Sequence, residues 1–357
     1  MKTLFEKLLR ATTSLINRVA RLYHPRTLRE KGWIWGGMLG VVTLSVLLFL
    51  LGLYWSSVPE PFDVRNNTHS MLQEMSLKPV TGSYTTAALV TVAETLLQKP
   101  GGYLSNDITP PSVFLDNIPN WEFGALTQTR DLARSLRNDM SRSQSQSLEN
   151  EDLSIAEPQF NYSNDSWIFP STEGEYRKGL EALRRYLSGL SQQGETSTQF
   201  FARADNLRDW LAIVEKRLGS LSQRLSASVG QERINTDLAG DPDAVQSTAT
   251  SDNVRVQTPW LQIDDVFFEA RGATWALIHF LHAVEIDFQD ILRKKNALVS
   301  LRQIIRELEA TQGSISSPVV LNGSGLGIFA NYSLVMASYI SRANAAVIDL
   351  RSLLSQG

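Results

Sequence analysis

The chain has 357 residues, with 34 Lys and Arg against 37 Asp and Glu, a net charge of −3, and no cysteine. That balance offers no basic footprint for nucleic acid, and without cysteine no Cys-His catalytic set can be assembled. At this length a helical core is buried without disulfide support.

Residues 2–23 carry Leu4, Leu8, Leu15, Val19 and Leu22 at helical spacing, widened by Phe5, Leu9 and Ile16 and interleaved with Lys7, Arg10, Arg18 and Arg21. This predicts a basic amphipathic helix, suited to an anionic membrane surface or a partner protein. Pro25 ends it. Trp33 to Trp55 follows, 23 residues without a charge. A helix of that length reaches about 35 Å, enough for a hydrocarbon core of about 30 Å. Trp33, Trp35, Tyr54 and Trp55 stand where aromatic belts meet the headgroups. The run is too long for a signal peptide, and Tyr54-Trp55-Ser56-Ser57-Val58 is a poor cleavage site. Lys and Arg outnumber Glu heavily in residues 1–31. The positive-inside rule therefore puts that flank in the cytoplasm and the C-terminal domain outside it. The expected organisation is a cytoplasmic amphipathic segment 1–31, a transmembrane helix 32–56, a spacer 57–81, and a helical domain 82–357 with a flexible loop at 227–258.

Residues 83–98 read as a helix stopped by Pro100-Gly101-Gly102. The stretch 101–122 holds three prolines and two glycines, yet Tyr103, Leu104, Ile108, Val113, Phe114, Leu115, Ile118 and Trp121 are too apolar for a free linker. A long loop of this kind is functional or disordered, and its apolar content argues that it packs. Glu122 to about Ser145 reads as a helix and 149–170 as irregular. Ser171 or Thr172 with Glu173 and Glu175 marks a helix start. Tyr176, Leu180, Leu183, Leu187 and Leu190, then Leu207, Leu211, Val214, Leu218, Leu221 and Leu225, alternate steps of four and three. Two such seams predict an antiparallel helical hairpin. After Pro259 an apolar helix extends toward Glu309, and its centre, near Trp275 and Phe280, is apolar on most sides. Ser314 to Gly327 is a turn region, and a last helix covers about 329–354. No segment carries a convincing strand period, so the fold class is all-α: an amphipathic helix and one transmembrane helix, then a helical bundle.

Gly101-Gly102-Tyr103-Leu104-Ser105-Asn106-Asp107, Asp116-Asn117-Ile118-Pro119-Asn120-Trp121-Glu122, Arg271-Gly272-Ala273-Thr274-Trp275-Ala276-Leu277 and Arg342-Ala343-Asn344-Ala345-Ala346 form a set. Over nearly the whole chain they resemble a proteobacterial family of single-pass inner-membrane proteins of unknown function. The resemblance implies a bacterial inner membrane and a periplasmic domain, and no activity.

Chemistry-bearing candidates are few. Tyr103, Phe114 and Trp121, with Asn106, Asp107, Asp116, Asn117 and Glu122, could line a ligand or peptide groove. Asp107, Asp116 and Glu122 could also serve as acid and base on a glycan, provided two carboxyls stand about 5–10 Å apart. Gly124-Ala125-Leu126-Thr127-Gln128 faintly resembles a lytic transglycosylase motif whose other pieces are missing. His279, His282 and Glu285 share a helix face and make the best metal set, though no H-E-x-x-H pattern supports it. Gly323 to Gly327 precedes a helix and could cradle an anion. No cofactor is implied. The expected function is a membrane-tethered scaffold of the cell envelope, with the bilayer and another envelope protein or a second copy as partners. A cell-wall hydrolase and a ligand-sensing ectodomain are the alternatives.

Overall fold

A computed structural model describes residues 13, 14, 17, 20–143, 148–192, 198–234, 253–315, 317 and 319–356. Most of the amphipathic segment 2–23 and residues 235–252 of the expected flexible loop lie outside the described residues.

The chain divides into two compact units, Met1–Tyr54 and Trp55–Gly357. The first unit contains nearly all of helix α1, Pro25–Trp55, which is interrupted at Gly32 by a positive φ of 83°. Glycine supplies that angle without Cβ strain. Beyond it the helix is long and apolar enough to cross a membrane, and none of its apolar window is buried in protein.

The second unit is all-α apart from one small hairpin. Its helices are α2 (Val64–Glu74), α3 (Ser83–Gln98), α4 (Asn117–Ser135, continued by a wide turn Leu136–Met140), α5 (Glu151–Phe160) and α6 (Thr172–Ser191). Then come α7 (Ala204–Ser226), strands β1 (Gln231–Ile234) and β2 (Asn253–Val256), α8 (Ile263–Asp287), α9 (Gln289–Lys294), α10 (Leu298–Glu309) and α11 (Tyr332–Ser355). Short polar residues start several of them. Asp116 accepts from Asn117 N, Asn150 from Leu153 N, Ser171 from Gly174 N and Asn331 from Leu334 N.

Helix α8 is the axis. It packs against α4, α3 and α10 and touches α2, α7 and α11. Trp275, Ala276, Leu277, Phe280 and Leu281 are completely buried in it, as its all-round apolar pattern requires. The crossing with α4 is made by glycine. A Cβ on Gly272 would lie 1.9 Å from the Trp121 carbonyl oxygen, and one on Gly124 would lie 2.0 Å from that of Glu269. No side chain fits either gap, so backbone meets backbone there.

Four expectations are corrected. The two leucine seams do not pair with each other: α6 packs on α5 and α3, whereas α7 packs on α11. Each seam fixes an apolar face but not its partner. The helix after Pro259 does not run to Glu309. It stops at Asp287, and α9 closes with Asn296 at φ 51°, where Ala297 N reaches Leu292 O at 2.8 Å and Asn296 N reaches Arg293 O at 3.1 Å. This is a left-handed helix cap with Asn in the usual glycine position. Residues 151–160, read as irregular, form α5. Within 227–258, Gln231–Ile234 and Asn253–Val256 pair antiparallel, with Glu232 opposite Arg255. Both strands are almost wholly exposed, so no apolar alternation betrayed them.

The residues expected to form a spacer contribute to the domain. Helix α2 packs on α3 and α8. Phe62 stacks on the His279 ring at 3.8 Å between centroids, and its backbone N–H donates to His279 Nε2 at 3.0 Å.

Candidate functional site

The candidate residues gather at one end of the second unit, where α3 stops and α4, α6, α8 and α11 begin. Lys99 caps α3, and its ammonium lies 2.7 Å from Glu122 Oε1 in α4, with neither side chain exposed. Lys99 Nζ also donates to Gly102 O at 2.8 Å. Glu122 accepts from Leu104 N and Ser105 N, both at 2.9 Å, and from the Ser105 hydroxyl. The carboxylate thus folds the Pro100–Asn106 turn around itself. Burial pushes its pKa up, and the Lys99 charge with these hydrogen bonds opposes the shift.

The other candidates of stretch 101–122 divide into buried and exposed sets. Tyr103 and Trp121 are buried. Tyr103 packs edge-on to Tyr176 and Trp121 lies 5.1 Å from Trp275 between ring centres. Burial raises the Tyr103 hydroxyl above its usual range, and the neighbouring Tyr176 and Glu122 add to the rise. Asn106 is buried too. Its amide donates to Ser166 O and to Glu173 Oε2, each at 2.9 Å, joining this loop to the 161–171 loop before α6. Phe114, by contrast, is 77% exposed. A groove shared by Tyr103, Phe114 and Trp121 is therefore not formed. Asp107 is half-buried, and burial raises its carboxyl. Asp116 is exposed and caps α4.

A different groove, of about 560 Å³, opens beside Asp116. Asp116, Asn117, Trp260, Leu261, Asp264 and Leu321 are among its lining residues. Trp260 is 80% and Leu261 77% exposed. They sit on a short turn, Trp260–Gln262, that leads into α8. Asn117 Oδ1 is buried without a donor among the described residues. Asp265, one residue on, accepts from Asn120 Nδ2 at 2.7 Å. Its carboxyl is raised by burial and by the like charges of Asp264, Asp116 and Glu269. No Lys or Arg among the described residues forms an ion pair with Asp116, Asp264 or Asp265. The site is thus an apolar groove with an uncompensated acidic rim. Asp116 and Asn117 were legible in the sequence. Trp260, Leu261 and Asp264 were missed, although two large apolar residues behind a proline and ahead of a polar helix start were a usable signal.

The metal candidates are separated. His279 Nδ1 lies 2.7 Å from the Trp275 carbonyl oxygen, four residues back, so it carries the proton and donates. Nε2 then accepts from Phe62 N, and both ring nitrogens are engaged. Burial pushes the His279 pKa down to about 3. His282 lies 3.5 Å from Glu309, and Glu285 pairs with Arg302 at 2.7 Å. Among the described residues no cluster of three or more His, Asp or Glu is arranged to hold a metal. The glycine loop is likewise internally bonded. Gly323 N donates to Ala330 O and Gly327 N to Ser324 O, which leaves neither N–H for an anion.

The motif residues of the sequence have structural duties. Arg271 donates to Gly313 O and Gln312 O, both at 3.0 Å, holding the chain after α10, and Arg342 bonds Glu307 at 2.8 Å. Residues 28–357 match the model of a family described as "Uncharacterized protein conserved in bacteria (DUF2333)", and the chain belongs to that family. No curated protein and no solved structure matches it.

Proposed function

We propose that this member of a bacterial family is a membrane-anchored interaction protein of the cell envelope. In this reading residues 32–56 cross the inner membrane, residues 1–31 stay in the cytoplasm, and the helical domain lies in the periplasm. The groove beside Trp260 receives a segment of another envelope protein. The observation that carries the proposal is the pairing of exposed Trp260 and Leu261 with the unpaired carboxylates Asp116 and Asp264 around one groove. Exposed apolar surface rimmed by polar groups marks an interaction site, and aromatic anchors dominate such contacts. The acidic rim selects a segment carrying Lys or Arg beside its apolar anchor.

The carboxylates offered for glycan hydrolysis give less support. Glu122 is fully buried and engaged by Lys99, Leu104 and Ser105, while Asp116 caps a helix at the surface. A photo-crosslinking residue replacing Trp260 in the full chain, in living bacteria, tests the proposal. One defined adduct is expected, weakened by Asp264→Lys and absent with the same probe at Val299. Adducts of equal spread at both positions would remove the basis for the groove.

A further inference from the structure

A stretch of main chain beside the Trp260 groove is paired on one edge only. Asn322 bridges antiparallel to Asn331, with Gly323 N donating to Ala330 O at 3.1 Å and Tyr332 N to Leu321 O at 2.7 Å. In an antiparallel pair with that bond pattern, Asn322 and Asn331 are the non-hydrogen-bonded partners. The N–H and C=O groups of Val320 and Asn322 therefore point to the opposite edge. Neither of these N–H groups meets an acceptor among the described residues, and Asn322 Nδ2 takes one lone pair of Val320 O at 3.2 Å. The segment is fixed from behind. Asn331 Nδ2 donates to Gly323 O at 2.6 Å and the Ser333 hydroxyl to Asn322 Oδ1 at 2.7 Å, which fastens it to the start of α11. Val319, Val320, Leu321 and Asn322 line the same groove as Trp260 and Asp264. The exposed Leu326, Ile328 and Phe329 belong to the turn that returns to Asn331, and none of them lines the groove.

We infer that the partner segment enters this groove as an extended strand and pairs its main chain with Val320 and Asn322. This rests on the reading of the groove as a docking site and adds the way in which the site is read. An open strand edge is a template for another strand. Such addition draws affinity from main-chain hydrogen bonds and specificity from alternate side chains. Two outward-facing residues supply few bonds, so the groove's other groups complete the contact. Apolar side chains of the added strand cover Trp260 and Leu261, and its Lys or Arg side chains reach Asp116 and Asp264. An edge already held by Asn331 and Ser333 loses little freedom on pairing. The β1–β2 hairpin also has open edges, but Glu232 and Arg255 put charge on it and neither strand lines this groove.

The test uses the full chain in detergent and a fluorescent peptide of alternating Lys and Val. Alternate N–H groups of a strand face the same edge, so methylating the Lys amides blocks one edge of the peptide and methylating the Val amides blocks the other. One methylated peptide should bind about tenfold more weakly, because main-chain hydrogen bonds are lost, and its isomer should match the parent. Asp264→Lys should weaken the parent peptide, and a peptide of alternating Glu and Val should bind least. Hydrogen exchange of the amides in 319–323 should slow several-fold with the parent peptide, while that in 324–329 stays unchanged. Equal loss with both methylated isomers, or loss with neither, overturns strand pairing. If Trp260→Ala still abolishes binding in that case, the groove stands as a docking site for a helix. Binding that ignores Trp260→Ala removes the groove itself, and the two failures are distinct. Equal binding of the Glu peptide overturns the basic partner.

Discussion

Lys99 Nζ stands 2.7 Å from Glu122 Oε1, with neither side chain exposed. Two charges are withdrawn from water here, and the attraction between them is only part of the compensation. Leu104 N, Ser105 N and the Ser105 hydroxyl complete the carboxylate shell, and Gly102 O takes one ammonium proton. Removing one member leaves a buried charge without its partner. Lys99→Met should lower unfolding stability by about 3–5 kcal/mol. The double variant Lys99→Met with Glu122→Gln should recover part of that loss. Denaturant unfolding of residues 55–357 checks both; additive losses would contradict a mutual pair.

The α4–α8 crossing predicts a sharp contrast between glycines. Gly272→Ala drives a methyl into the Trp121 carbonyl, and should cost about 1–3 kcal/mol or more as the helices are wedged apart. Gly219→Ala in α7 meets nothing nearer than Asn344 Nδ2 at 3.6 Å. It should be neutral or stabilise by about 0.4–1 kcal/mol. Thermal melts of the two variants read the difference directly.

His279 and Asp287 should bend the pH profile of stability in opposite directions. His279 has its pKa pushed down to about 3 in the fold, against an ordinary 6.5. The unfolded chain therefore takes up the proton first. Stability from this group is complete above pH 6.5 and is lost as pH falls toward 3, by about 1.4 kcal/mol per unit. Asp287 accepts from Gly82 N, Thr85 N and the Thr85 hydroxyl at the start of α3. Burial nevertheless pushes its pKa up to about 6 from an ordinary 3.8. Its contribution therefore falls as pH rises from 3.8 to 6. His279→Gln should flatten the acid loss and Asp287→Asn the opposing slope, measured by denaturant unfolding between pH 4 and 7.5. An unchanged acid slope in His279→Gln would count against the neutral, doubly bonded ring.

Trp260 separates docking from folding. Its side chain is mostly exposed and belongs to no buried cluster, so Trp260→Ala should leave unfolding within about 0.5 kcal/mol of the parent chain. The same change should abolish partner capture. A variant that melts early would instead assign Trp260 a packing role.

The all-α class was legible because the apolar spacing of α3, α6, α7 and α8 follows the helical period directly. Helix partners were not, since a leucine face such as Leu183–Leu187–Leu190 states only that something covers it. The end of α9 was hidden because Asn296, in Lys294-Lys295-Asn296, takes a backbone angle that composition does not advertise. Around the candidate site the sequence pointed to the right loop and misjudged its division. Apolar content alone could not tell that Trp121 lies under α8 while Phe114 faces outward. Lys99 escaped notice because a single lysine after a helix usually remains in solvent, and only the fold brings Glu122 to it.

The Phe62–His279 contact also sets how the domain carries load. Between Trp55, beside Gly101, and Gly82, bonded to Asp287, the chain passes from the end where α8 begins to the end where it stops. A pull at Trp55 is therefore met on the central helix by a stacked ring and a hydrogen bond before it reaches α3.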